Sequence, residues 1–379
     1  MKTRTRFMSA MGLAIGAVAA LSGSASAGAV PFIHAGADNV VFVQDDSTSG
    51  NHVLAYDRAQ DGTLTLAGTY ATGGVGGVLT GSVVDHLASQ GSLTYDRRHG
   101  LLFAVNAGSN SVSVFSVSHD RLNLREVLPS GGSFPVSVAV HDDLVYVLNA
   151  RDGGSVQGYR VFFNIVFPLA RSARPLGLDV TATPEFTNTP GQVAFSPDGS
   201  QLIVTTKANG SSIDVFGVRS DGRLAAAPVV NSLPGAVPFA VDFDAAGHLV
   251  VAEAGTNALA TFSLAGNGTI SPIDTKLTGQ AATCWVVGAN GSFYASNAGS
   301  GSLSGFQSSL AGTLTPLGNT LTDKGSVDAA ATPDGHYLYV QTGAAGIVDE
   351  FTVNPDGSLT SIGSITVPNA AGGEGIVAE

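Results

Sequence analysis

The chain has 379 residues, 44% of them hydrophobic, enough for one large or two ordinary cores, while charged residues make up only 12%, about half the usual share. A net charge of −12, from 17 Lys and Arg against 29 Asp and Glu, argues against nucleic-acid binding, which needs Lys and Arg against phosphates. With 49 Gly and a single cysteine, Cys284, the composition points to short strands and tight turns, and it excludes an intramolecular disulfide or a Cys-based zinc site.

The first element is a targeting segment. Lys2, Arg4 and Arg6 precede an apolar run from Phe7 to Leu21, and Ala25-Ser26-Ala27 follows as a small-x-small cleavage pattern. These are the three parts of a secretory signal peptide. The run is too short for the roughly 20 residues that span a bilayer, and no later run is long and apolar enough to do so. The expected organisation is a signal peptide over 1–27, cleaved near Ala27, a lead-in over 28–38, and one domain over 39–379. The protein is therefore expected to be secreted, with no membrane span after processing.

Beyond residue 39 one phrase recurs: an alternating apolar run, an aromatic, a Gly turn, then Leu or Ile. Its aromatics are Tyr56, Phe115, Tyr159, Phe216, Phe262, Phe306 and Phe351, separated by 59, 44, 57, 46, 44 and 45 residues. A period near 45 residues is that of four-stranded propeller blades. A second phrase precedes each copy, as in Val193-Ala194-Phe195, Ser196-Pro197-Asp198-Gly199 and Leu202-Ile203-Val204. Asp-Gly between alternating apolar runs marks a hairpin, and two hairpins per repeat make one blade. Leu93, Val138, Val193, Val241, Trp285, Ala329 and Ile376 then fall in seven equivalent inner strands. The first copy lacks its inner strand, and Gly375-Ile376-Val377-Ala378 supplies it from the other end of the chain. The predicted fold is all-β: a seven-bladed β-propeller of four-stranded antiparallel blades, its ring closed by the C-terminal strand. The two excess segments are Gly73 to Gln90, a Gly-rich connection, and Arg160 to Thr189.

The run Leu102 to Phe115, the phrase Phe195-Ser196-Pro197-Asp198-Gly199 and the stretch Phe351 to Leu359 resemble the seven-bladed lactonase family, which includes 6-phosphogluconolactonase-type propellers and carboxymuconate cyclases. The likeness extends from about residue 39 to the C-terminus. It implies a lactonase or a related cycloisomerase acting at the propeller funnel. Similar phrases occur in surface propellers that act as interaction proteins. Catalytic relatives tend to carry a His-containing phrase at the start of the fourth blade and Arg at other blade starts. Here the fourth blade begins Thr189-Pro190-Gly191-Gln192-Val193, and Ser133-Phe134-Pro135 and Val237-Pro238-Phe239 are also uncharged.

No nucleophile elbow, P-loop, His-Glu-x-x-His or EF-hand loop is present, so no metal and no cofactor are expected. His99, His141, His248 and His336 lie between the first two strands of separate blades and read as solvated turn residues. Cys284 reads as a buried structural thiol and Trp285 as inter-blade packing. Hydrolysis of a lactone without metal needs an acid/base group and a cation for the developing oxyanion. Glu374 and Asp328 are the candidate acid/base pair, because a carboxylate near the crowded axis is costly unless partnered. Arg151 is the candidate catalytic cation. Lys207, Glu253, His86 and Asp46 are candidate substrate-binding groups. Glu374 and Asp328 belong to adjacent blades and should lie on one side of the mouth, where close approach raises one pKa of the pair. Two readings follow: a monomeric secreted hydrolase of a small lactone or sugar-derived substrate, or a non-catalytic propeller binding a protein, a polysaccharide or the cell wall.

Overall fold

The computed structural model describes residues 38–379; the predicted signal peptide lies outside the described residues. Seven antiparallel sheets follow one another, each with its strands in order from the axis outward. Blade 1 comprises Ile376–Ala378, Val40–Gln44, His52–Arg58 and Leu64–Ala71. Blade 2 comprises Leu93–Asp96, Leu101–Asn106, Ser111–Ser118 and Arg121–Pro129. Blade 3 comprises Pro135–His141, Leu144–Asn149, Ser155–Phe162 and Ile165–Pro168. Blade 4 comprises Val193–Phe195, Gln201–Thr205, Ser212–Gly217 and Val229–Ser232. Blade 5 comprises Pro238–Phe243, Leu249–Glu253, Ala258–Leu264 and Ile270–Leu277. Blade 6 comprises Thr283–Ala289, Ser292–Asn297, Ser302–Ser308 and Leu314–Leu321. Blade 7 comprises Ser326–Ala331, Tyr337–Thr342, Ile347–Val353 and Leu359–Thr366.

The pattern of burial follows from the layering. Second strands such as Leu101–Asn106 and Ser292–Asn297 are buried along their whole length, because both faces meet a neighbouring blade. Outer strands such as Arg121–Pro129 alternate toward solvent. All seven predicted aromatics lie in third strands, and all seven predicted inner strands are inner strands.

The Asp-Gly turns also fasten blade to blade. Tyr146 of blade 3 donates its hydroxyl to the Gly222 carbonyl of blade 4 at 2.8 Å. Tyr294 of blade 6 reaches Gly357 of blade 7 at 2.8 Å, and Tyr339 of blade 7 reaches Gly62 of blade 1 at 2.7 Å. Gly222 has φ +82°, and a Cβ there would stand 2.5 Å from Leu144 of the preceding blade. A side chain is thus excluded by conformation and by space together.

The ring closes as the repeat count requires. Val43, Phe42 and Val41 pair with Ile376, Val377 and Ala378, and the Glu379 N–H donates to the Val40 carbonyl at 2.9 Å. The excess after Arg160 is only partly loop. It extends the third strand of blade 3 into a hairpin, adds the short edge strand Arg174–Pro175 against Ser155 and Val156, and ends in one helical turn, Glu185–Asn188.

Candidate functional site

The mouth of the ring is built by the loops that lead into the inner strands and by those between second and third strands. The Gly73 to Gln90 connection crosses this mouth. Small residues let it do so: a Cβ on Gly76 would lie 1.9 Å from the Asp46 carbonyl oxygen, and one on Gly343 would lie 1.6 Å from that of Val84. The loop is fastened all round. The His86 N–H donates to the Gly372 carbonyl at 2.8 Å. Ser89 Oγ donates to the Val136 carbonyl of blade 3 at 2.9 Å. Trp285 Nε1 of blade 6 donates to the Ser89 carbonyl at 2.6 Å. The Gln90 side chain pairs with the free edge of Val286, accepting its N–H at 3.0 Å and donating to its carbonyl at 2.8 Å. Gln192 likewise accepts the Val241 N–H at 2.7 Å. Trp285 is 4% exposed and packs against Phe239, ring centres 4.9 Å apart and planes inclined at 59°.

Beneath this plug lies a buried cluster of carboxyls around one ammonium. Asp85 accepts the N–H groups of Leu87, Ala88 and Ser89 at 2.9, 2.9 and 3.0 Å, an Asx-type turn that shapes the plug. Glu374 accepts Ser89 Oγ at 3.1 Å and the Ser92 N–H at 3.3 Å. Its own N–H donates to Asp46 Oδ2 at 2.8 Å, and Asp46 also accepts the Gln44 side-chain amide. Asp328 accepts the Ala329 N–H at 2.9 Å and lies close enough to the Glu374 carboxyl for the two to influence each other's ionisation. Lys207 Nζ donates to the Ala88 carbonyl at 2.6 Å and the Phe186 carbonyl at 2.7 Å, above the Phe239 ring.

Burial dominates the electrostatics of this cluster. Desolvation raises Asp85 to about 6 against the pull of its three N–H donors, and raises Asp328 to about 7. Glu374 is raised well above the usual carboxylate range, first by burial and then by Asp328, Asp85 and Asp46. Asp46 is raised by burial as well. Lys207 is lowered to about 7 by burial, with Asp85 opposing. Cys284 lies near Lys207 and Asp85, yet burial pushes its thiol up to about 12, the state of an unreactive thiol.

The structure therefore brings together Glu374, Asp328, Asp46 and Lys207, and it does not bring Arg151 to them. Arg151 lies off the axis, where its Nε pairs with Glu185 Oε1 at 2.6 Å and its guanidinium covers the Phe134 ring at 4.3 Å. That ion pair holds Glu185 down at about 2. The two line a cavity of about 210 Å³ of mixed character, with Asp179, Asn188 and Asn209 beside Leu178 and Val180. Glu253 stands at the end of a second strand and accepts Thr256 Oγ1 at 3.0 Å. His86 is part of the plug, its ring against Gly372, and burial lowers its pKa. His99 and His248 face the carboxyls of Asp96 and Asp244 in their turns, at 2.6 and 2.8 Å. Asp85, Gln90 and Gln192 were not singled out from sequence. Their signal was position: an acid in the long connection, and Gln just ahead of an inner strand, the latter shared by two blades. A second cavity, of about 370 Å³, follows the axis away from the plug and is lined by Gln90, Thr94, Ala139, Gln192, Asp328 and Ile376.

The sequence matches no protein-family model and no functionally curated protein. Solved structures share its fold. The periplasmic gluconolactonase of Pseudomonas aeruginosa is 17% identical, with a TM-score of 0.71 over 89% of this chain and 98% of its own. A candidate 6-phosphogluconolactonase from Bacteroides fragilis is 18% identical, with a TM-score of 0.67 over 89% and 98%. The virginiamycin B lyase of Staphylococcus aureus is more distant, at 13% and 0.55 over 77% and 89%. At these identities the likeness carries the architecture and not the chemistry: this chain has the seven-bladed fold of the lactonase-type propellers.

Proposed function

We propose that the protein is an exported binding propeller on a lactonase-type scaffold, working through its outer surface and not by turnover in the funnel. One observation carries this reading: the charged groups gathered at the axis are spent on holding the plug. Lys207 gives its ammonium to two backbone carbonyls, and Glu374 gives its carboxyl to Ser89 and Ser92. An oxyanion needs a donor aimed at empty space where charge will develop. Lys207 is sealed beneath Ala88, and Arg151 is committed to Glu185. The loop is also too well fastened to act as a loose lid, since its hydrogen bonds reach blades 1, 3, 4 and 6.

One feature favours a second reading. Asp328 lines the axial cavity with its pKa near 7, a suitable state for a general acid. A hydrolase would then act from the face opposite the plug. Incubation of the purified protein with a panel of aldonolactones separates the two. Ring opening no faster than in buffer is expected. Turnover that falls at least about 100-fold in Asp328→Asn would overturn the binding reading in favour of the channel hydrolase.

A further inference from the structure

Charge is distributed unevenly round the ring. Residues 97–223, which span blades 2 to 4, hold eleven Lys and Arg against ten Asp and Glu. The rest of residues 38–379 holds three against nineteen. The outer hairpin of blade 3 lies in the first group. Its register sets Arg160 opposite Phe167 and Phe162 opposite Ile165, so the two-residue alternation puts all four on one face. The other face, with Tyr159, Val161 and Val166, is buried in the core. The outward face stays uncovered: Phe162 is 60% exposed, Phe163 at the tip 84%, Ile165 46% and Phe167 48%. Blade 4 offers no cover, because its outer strand is only the four residues Val229–Ser232, half the length of its counterparts in blades 5, 6 and 7.

Arginines accompany this face: Arg160 stands opposite Phe167, and Arg174 pairs farther along the same strand, opposite Val156. Arg160 donates to the Asp221 carbonyl at 3.1 Å, and Arg174 to the Ala225 and Leu224 carbonyls at 2.7 and 2.6 Å. These are backbone partners, so the cationic charge stays uncompensated. Arg171, in the segment after the hairpin, and Arg219, in the outer turn of blade 4, are exposed. Of the neighbouring acids, Glu126 accepts the Val166 N–H of the hairpin at 3.0 Å, on the inward-facing side, Asp221 pairs with Arg223, Asp142 and Asp143 face Arg98, and Asp198 is turned onto Ser196 and Ser200.

We infer that the Phe162–Phe167 hairpin is an interfacial anchor that seats the propeller reversibly on an anionic lipid surface. The shape selects this partner. A convex tip of apolar residues penetrates a soft interface, and flanking arginines meet headgroup phosphates. A sugar polymer would instead need a flat stacking platform, but Phe162 and Phe163 meet edge to face, at 62° and 4.4 Å. The acidic blades do not forbid approach, because repulsion is screened beyond about 8 Å at physiological salt. The hairpin joins a third to a fourth strand, on the side of the ring away from the plug, so the bound molecule presents its plugged mouth to solvent. The inference goes beyond the binding reading and stands or falls on its own readout, since it holds whether or not the axial cavity turns over a lactone.

Co-sedimentation of the purified protein with vesicles of phosphatidylcholine, with and without phosphatidylglycerol, tests it. Binding is expected only with phosphatidylglycerol and should weaken as salt is raised. It should fall at least about tenfold in Phe162→Ser/Phe163→Ser and in Arg160→Gln/Arg171→Gln, with unchanged melting temperatures. Leu310→Ser, at an equally exposed turn of blade 6, should bind as the parent does. Equal partition onto both vesicle types, or full binding by the double Phe variant, would overturn the inference. So would retention on an acidic polysaccharide, abolished by these substitutions, without vesicle binding.

Discussion

Lys207 shows how much a single buried group can decide. It is 1% exposed, yet it feels two buried carboxyls, Asp85 and Glu374, the second of them beside Asp328 and Asp46. Burial disfavours the charged form of every member, and the cluster survives by trading protons and hydrogen bonds. The pH dependence follows from the directions of the shifts. Asp85 and Asp328 have folded values near 6 and 7 against an ordinary 3.8, so the folded state holds protons that the unfolded chain releases. Their contribution is whole below about pH 4 and is lost as pH rises toward 7. Lys207 behaves in the opposite sense, with a folded value near 7 against an ordinary 10.5. Its contribution is present above the ordinary value and is lost as pH falls toward 7. Thermal stability should therefore pass through a minimum near neutrality, whereas most proteins are most stable between about pH 5 and 8. Asp328→Asn keeps an acceptor for the Ala329 N–H and removes the titration. It should gain about 1–2 kcal/mol at neutral pH, a rise of a few degrees in melting temperature, and none at pH 4. Melting curves that run parallel across this range for parent and variant would contradict the assignment.

At the scale of elements, blades were legible and the plug was not. The repeat could be read because every blade faces the same demands: both faces of inner strands buried, a turn at a fixed offset, an aromatic in the third strand. Glu374 and Asp328 could be placed together for the same reason, since ring closure alone makes their blades neighbours. The path of residues 73–92 obeys no repeat. It depends on contacts with residues far away in the chain, such as Lys207 with Ala88 and Trp285 with Ser89. The glycines that admit it are equally dispersed. Gly343 is pinned on both sides, its N–H to the Gly325 carbonyl at 2.8 Å and its carbonyl to the Gly372 N–H at 2.7 Å. It cannot retreat from Val84. Gly343→Ala must therefore displace the plug, at a cost of about 1–3 kcal/mol. Hydrogen exchange should rise across residues 79–92 while second strands stay protected. Gly266→Ala, where a Cβ meets nothing within 4 Å, is the control and should leave both readouts unmoved.

For the whole molecule the question is what keeps seven similar units from acting separately. Each blade buries most of its apolar surface against its neighbours; the largest core cluster joins blades 2, 3 and 4 with Leu79, Leu87 and Ala88 of the plug. A closed ring gives every blade a neighbour on both sides and leaves no terminal blade to unravel. The closure rests on very little chain. Ile376, Val377 and Ala378 pair with blade 1, while Ser92 Oγ of blade 2 donates to the Glu374 carbonyl at 2.8 Å. Arg97 of blade 2 pairs with the Glu379 side chain at 2.7 Å. The last six residues thus fasten blade 1 to blade 2 and also complete the carboxyl cluster under the plug. A chain ending at Gly373 loses the inner strand of blade 1 and the tie to blade 2 in one step. Its melting temperature should fall by at least about 5 °C, and its unfolding should broaden as blades near the break open first. The pH minimum should shrink as well, because Glu374, itself raised by burial and its acidic neighbours, no longer titrates in the folded state. A truncated chain melting within about 2 °C of the parent, in one sharp transition, would mean that packing between blades alone holds the ring, and that the terminal strand is an ornament on it.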